Sequence, residues 1–165
     1  MNKFSEFLVV FGIGSFLYGF IEVMFRGFTH WSMFLTGGII FYLLYTLFYM
    51  IGSGNILLKC LMGCAVITTV EFLVGCIVNI AFKMNVWDYS QEKYNLFGQI
   101  CLSFSIGWFF ISIPAYYLTA ALHRGFTHKT WQIVIFVKIL AYDAWIREKT
   151  VSAVLLLAAC IVNLP

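Results

Sequence analysis

The sequence predicts an all-α fold, a polytopic transmembrane helical bundle, and three observations predict it. Of 165 residues, 62% are hydrophobic and only 10% are charged, whereas a water-soluble domain covers its surface with roughly a quarter charged residues. Four apolar runs each reach the about 20 residues that a helix needs to cross a hydrocarbon core of about 30 Å. None of them shows the alternating ten-residue pattern of a membrane barrel, and backbone groups in lipid must be satisfied within the segment, so the runs are helices.

The first span covers residues 7–25. Lys3 before it resembles the start of a secretory signal, but the run is long, contains Glu22 and lacks a small-x-small cleavage site before Arg26, which predicts a retained helix. The second span covers 33–51, the third 60–82 and the fourth 97–122, the last interrupted by Pro114, which removes a backbone donor and frees a carbonyl. Gln99, Ser103, Ser105, Trp108 and Ser112 are expected on that fourth helix. One or two further membrane segments follow. Residues 131–146 are apolar but short and hold Lys138 and Asp143, and 151–164 number only 14. The expectation is one integral membrane domain over 1–165.

Ten Lys and Arg against seven Asp and Glu give a formal charge of +3, scattered over short segments. That pattern suits membrane topology and excludes a nucleic-acid partner. With both late segments spanning, four basic residues fall on the amino-terminal side and five on the other; if 131–146 returns without crossing, Arg147 and Lys149 move over and the amino-terminal side leads six to three. The amino terminus is therefore read as cytoplasmic. Arg26-Gly-Phe-Thr-His30 recurs as Arg124-Gly-Phe-Thr-His128, each copy followed by a tryptophan. Four crossings put the copies on opposite faces, as an inverted duplication would, but the flanks differ, with Glu22 four residues before the first copy and Ala120 four before the second, and favour a shared basic-aromatic interface anchor.

Ionisable groups inside a span are costly and by default mark function. Glu71 sits midway along the third span, in a stripe of Cys64, Thr68, Glu71, Gly75 and Asn79 at helical spacing. Such a stripe serves as an interhelical seam, a substrate or ion pathway, or both. Glu22 precedes Arg26 by four residues and can pair with it; this end of the first helix, with His30 and Trp31, is expected to approach Asn79 and the loop beyond. The loop carries Trp87, Asp88, Tyr89, Ser90 and Asn95, a composition fit for an aromatic belt, an ordered turn or a lid over a polar vestibule. Five cysteines lie in or beside apolar runs without metal-ligand spacing and are read as packing residues. No phosphate-binding loop, hydrolase elbow or metal motif is present, so no cofactor and no metal site is expected.

Glu22, Arg26-Gly, His30-Trp31-Ser32, Glu71-Phe72, Gly75, Trp87-Asp88-Tyr89-Ser90, Asn95, Gly98, Ile100-Cys101 and Trp108 together resemble the bacterial family of CmpB-like permeases, or ABC-transporter type IV, over about residues 7–118. The segment 119–165 is read as divergent from it. The resemblance implies a small permease of the bacterial inner membrane. Any ATP dependence then requires a separate ATPase, since the chain has no nucleotide-binding motif. Glu22, Glu71, Asn79, Arg26 and His30 are the expected pathway residues, with the Trp87 to Asn95 loop as vestibule. A chain this small, with Gly12, Ser15 and Gly19 on one face of its first helix, is expected to need a homo-oligomer or a partner membrane subunit. Two alternatives stand beside transport: a non-transporting scaffold or regulatory subunit, and a lipid-acting enzyme using Glu22, His30 and Asp88 as acid-base groups.

Overall fold

The computed structural model describes residues 2–52 and 54–127. The expected segments 131–146 and 151–164, Cys160 and His128 of the second repeat lie outside the described residues. The chain divides into two units, Met1–Arg124 and Gly125–Pro165, and the architecture below is that of the first.

Four helices are long and apolar enough to cross a membrane. Helix α1 (Lys3–Arg26) starts where Asn2 accepts a hydrogen bond from the Phe4 amide and stops at Gly27, whose φ of 76° ends the helix in the left-handed region. Helix α2 (Trp31–Ile51) is capped by His30, whose ring nitrogen accepts from the Ser32 amide. Helix α3 (Ile56–Gly75) is capped by Asn55 and runs on as a π-helical segment, Cys76–Ala81. A loop and a two-stranded antiparallel hairpin, β1 (Asn95–Leu96) with β2 (Ile100–Cys101), lead into α4 (Leu102–Thr127), which continues through Pro114.

The apolar run at 97–101 is therefore not the start of the fourth helix. Tyr94, Phe97 and Gly98 all have positive φ, which no helix tolerates, and Gln99 lies in the hairpin instead of on α4. The hairpin brings Gln99 over the end of α3, with consequences described below.

Helices α1 and α2 cross closely because Gly14 and Gly37 meet there. A Cβ on Gly14 would lie 2.3 Å from the Phe41 Cβ, and one on Gly37 would lie 2.2 Å from the Tyr18 Cβ. Small residues bring membrane helices into such contact because dispersion and packing, not water exclusion, drive association in lipid. Ser15 and Gly19 belong to the same interface: Cβ atoms on Gly38 and Gly19 would press on Ser15 and on the Phe34 ring, whereas Gly12 faces open space. Two of the three residues read as an oligomer stripe are thus used inside the chain. Between α3 and α4, Cys64 Sγ donates to the Ser105 carbonyl at 3.0 Å and Thr68 to the Ser105 hydroxyl at 3.3 Å. The lower part of the α3 stripe is an interhelical seam.

Candidate functional site

One end of the bundle gathers the ends of α1 and α3, the start of α4 and the loop between them. Glu22 is 8% exposed. One of its carboxylate oxygens accepts from Arg26 Nη1 at 2.7 Å and the other from the Thr29 hydroxyl at 2.7 Å. Arg26 spends its second nitrogen, Nη2, on the Val86 carbonyl and lies 4.7 Å above the centre of the Phe28 ring. The expected Glu22–Arg26 pair is present, and it ties α1 to the loop.

Asn79 is the loop's anchor on α3. Its Nδ2 donates to the Trp87 carbonyl at 3.0 Å and to Gln99 Oε1 at 2.8 Å, while its Oδ1 accepts from the Val86 amide at 2.7 Å. Trp87, also buried, donates from Nε1 to the Gln99 carbonyl at 2.9 Å. Three of the four hydrogen-bonding valences of Asn79, both donors and one acceptor site, are therefore filled. The π-helical turn widens the last turn of the span, and Asn79 sits within it.

Glu71 is 5% exposed, near the end of α3 and a little past the middle of the Ile56–Ala81 span. Its Oε1 accepts from the Tyr18 hydroxyl and its Oε2 from Trp108 Nε1 at 2.6 Å; the two aromatic rings stack at 5.7 Å. A buried carboxylate is costly unless hydrogen-bonded, and residues from α1 and α4 supply those bonds. Tyr18 lies one turn before Glu22 on the same face of α1, a spacing visible in the sequence, although an aromatic residue in a membrane helix carries little signal of its own.

Tyr18 and Trp108 also line a cavity of about 220 Å³ between α1, α4 and the loop, together with Glu22, Arg26, Tyr89 and Ser103. Glu71 is one side chain behind its wall. An almost wholly apolar cavity of about 270 Å³ shares Tyr18, Ile21, Trp108 and Ile111 with it. Tyr89 is half-buried, stacked on Phe104 at 4.6 Å, and its amide donates to the Gly98 carbonyl at 2.7 Å. Burial first, and then the Glu71 carboxylate, push its hydroxyl above the ordinary tyrosine range, with Arg26 opposing. It is a neutral donor at the cavity wall.

Other expected residues lie elsewhere. His30 caps α2 and bonds Ser32 at 2.8 Å, and Trp31 is 60% exposed. Asp88 is exposed and closes a turn on Ser90, accepting from its amide at 2.8 Å and its hydroxyl at 3.0 Å. Asn95 holds the same loop through the Ser90 and Glu92 carbonyls and the Gly98 amide. Glu22, His30 and Asp88 therefore belong to three separate networks and are not brought together as an acid-base set. Among the described residues no group of acidic, histidine and cysteine side chains is arranged to hold a metal.

The sequence model of a family described as putative ABC-transporter type IV matches residues 3–152. The chain belongs to this family. The match runs well past residue 118, so the segment read as divergent is family sequence as far as residue 152, including the second Arg-Gly-Phe-Thr-His copy. This member of the type IV family is a multi-pass membrane protein related to ABC transporters, with four membrane-compatible helices among its described residues. No solved structure matches it.

Proposed function

We propose that the protein is the membrane component of a permease that admits a small cation or cationic solute to the cavity beside Glu22 and Arg26 and passes it along the Glu71 face of the bundle. The observation that carries this reading is Glu71: a carboxylate in the middle of an apolar span, held by two residues that also wall a cavity. Glu22 and Glu71 supply two carboxylates against the single guanidinium of Arg26, a balance that selects positive charge. Gating follows from the same bonds, since Tyr18 and Trp108 must release Glu71 before a cation can reach it. In this reading a separate ATPase drives the cycle, the chain works as a homo-oligomer or beside a partner subunit in the bacterial inner membrane, and the amino terminus is cytoplasmic.

A scaffold reading draws on the same site, because Glu71 with both oxygens bonded is also a complete interhelical clamp. Flux separates the two. The purified protein in liposomes is assayed for cation uptake as parent, Glu71→Gln and Glu22→Gln, at matched expression and oligomer size. Transport through this site predicts that uptake is lost in Glu71→Gln and reduced in Glu22→Gln. Parent-level uptake in both variants would overturn it.

A further inference from the structure

The cavity beside Glu22 and Arg26 has five aromatic residues in its wall. Two stacked pairs bound it: Tyr18 with Trp108, ring centres 5.7 Å apart, between α1 and α4, and Tyr89 with Phe104, 4.6 Å apart, between the loop and α4. Its volume of about 220 Å³ falls below the about 300–1,000 Å³ of sites that hold drug-sized ligands, so its occupant is compact.

The side-chain oxygens on that wall do not suit a dehydrated inorganic cation, which needs a shell of oxygen ligands in place of water. Both Glu22 oxygens are engaged, by Arg26 and by Thr29, and the Tyr18 hydroxyl donates to Glu71. The remaining side-chain oxygens are the hydroxyls of Tyr89 and Ser103, too few for such a shell.

The charge nevertheless favours a cation. Glu22 and Arg26 form an ion pair at 2.7 Å, and Arg26 also turns to the Val86 carbonyl and the Phe28 ring. Glu71, one side chain behind the wall, accepts through both oxygens, and its charge is met by hydrogen bonds from the neutral Tyr18 and Trp108. An anion accepting from the O–H or N–H of a ring pushes electron density into that ring, so the Glu71 charge reaches the cavity through the π systems of Tyr18 and Trp108. Burial, and then the Glu71 carboxylate, hold the Tyr89 hydroxyl above the ordinary tyrosine range, with Arg26 the smaller, opposing influence. The wall therefore carries negative potential.

We propose that the cavity takes a compact organic ammonium ion bearing N-methyl groups, seated against Trp108, Tyr18 and Phe104. Such an ion is weakly hydrated, needs no oxygen shell and binds aromatic surfaces through both methyl contact and cation–π attraction. The assignment rests on the reading of this cavity as a cation entry and names the class of solute admitted. It puts the ion in front of the Tyr18–Trp108 gate, where Glu71 acts on it through the two rings.

The full-length protein in neutral detergent is titrated calorimetrically with choline, with its uncharged isostere dimethylbutanol and with rubidium, and liposomes holding the protein are assayed for uptake of choline and of rubidium. Choline is expected to bind saturably, about tenfold or more tighter than either dimethylbutanol or rubidium. Phe104 is 37% exposed, and Phe104→Leu keeps an apolar wall while removing a ring. It is expected to weaken choline by about fivefold and to leave dimethylbutanol within about twofold, a contrast that a change in folding would not produce. Phe16→Leu, at a position 68% exposed on α1 and outside the cavity, should change neither. Choline that does not bind, or binds no tighter than dimethylbutanol, would overturn the assignment. Uptake of rubidium without choline also overturns it and leaves the cation pathway standing, whereas choline binding with uptake of neither ion keeps the site and removes the pathway.

Discussion

Asn79→Ala isolates what holds the loop over the cavity. The parent side chain satisfies the Val86 amide at 2.7 Å, the Trp87 carbonyl at 3.0 Å and Gln99 Oε1 at 2.8 Å, and Asn79 is itself 8% exposed. Leaving a buried polar group unsatisfied costs about 1–3 kcal/mol each. Three stranded partners at the lower bound give about 3 kcal/mol against the closed loop, or about two orders of magnitude in the open population. Lys83 and Lys93 are exposed at the base and tip of that loop, so tryptic cleavage reports its opening. Where opening and closing are fast relative to cleavage, the rate follows the open population. The variant is expected to be cut about a hundredfold faster at low protease, with α1 and α2 intact. Asn79→Asp should be no better, because it keeps the acceptor for Val86 and sets two carboxylate lone pairs against two acceptors. Cleavage of Asn79→Ala within about twofold of the parent would refute the anchoring role.

Trp108→Phe strands Glu71 Oε2 and should lower thermal stability in detergent by about 1–3 kcal/mol, whereas the same change in a Glu71→Gln background should cost less, a coupling that a double-mutant cycle measures. Gly37→Ala forces a Cβ to 2.2 Å from the Tyr18 Cβ and should destabilise by about 1–3 kcal/mol or more, while Gly12→Ala, with nothing within 4 Å, should stay within about 0.5 kcal/mol. Thermal unfolding of the two side by side checks the contrast. Gly98→Ala meets a φ of 67° and places a Cβ 2.7 Å from Asp88 Oδ1, so it should open the loop to trypsin more than Gly107→Ala does.

The first three spans were readable because each is a long apolar run bounded by a polar cap, and length alone separates a membrane helix from anything else of that composition. The start of α4 was not. Residues 97–101 are apolar enough to extend the helix, and only the positive φ values at Tyr94, Phe97 and Gly98 turn them into a hairpin. Of these, glycine alone announces itself in a sequence. The same asymmetry governs the site. Glu22, Arg26, Glu71 and Asn79 stood out because polar groups are scarce in lipid, and the structure brings each into a buried network at one end or at the heart of the bundle. Asp88, Ser90 and Asn95 are equally polar but lie where turn formation uses them up. Tyr18 completes the site without any signal of its own in the sequence, and Gln99 and Trp108, expected as polar and aromatic positions of the fourth helix, have roles that depend on which helix face and which part of the hairpin oppose Glu71 and Asn79.

Transport through the proposed site requires that water and cations enter the cavity beside Glu22 and Tyr18 from the loop end. Gly107 lines that cavity and a Cβ there meets nothing within 4 Å; Gly12 is equally open but lies on the outer face of α1. Cysteines placed at each position, in a background with the native cysteines replaced, are offered a membrane-impermeant thiol reagent from either side of a sealed vesicle. Only a hydrated thiol forms the reactive thiolate. Gly107→Cys is expected to react from the loop side, Gly12→Cys is not, and the transported cation is expected to slow the reaction. A Gly107→Cys that stays unreactive from both sides, or that reacts no faster than Gly12→Cys, would contradict it.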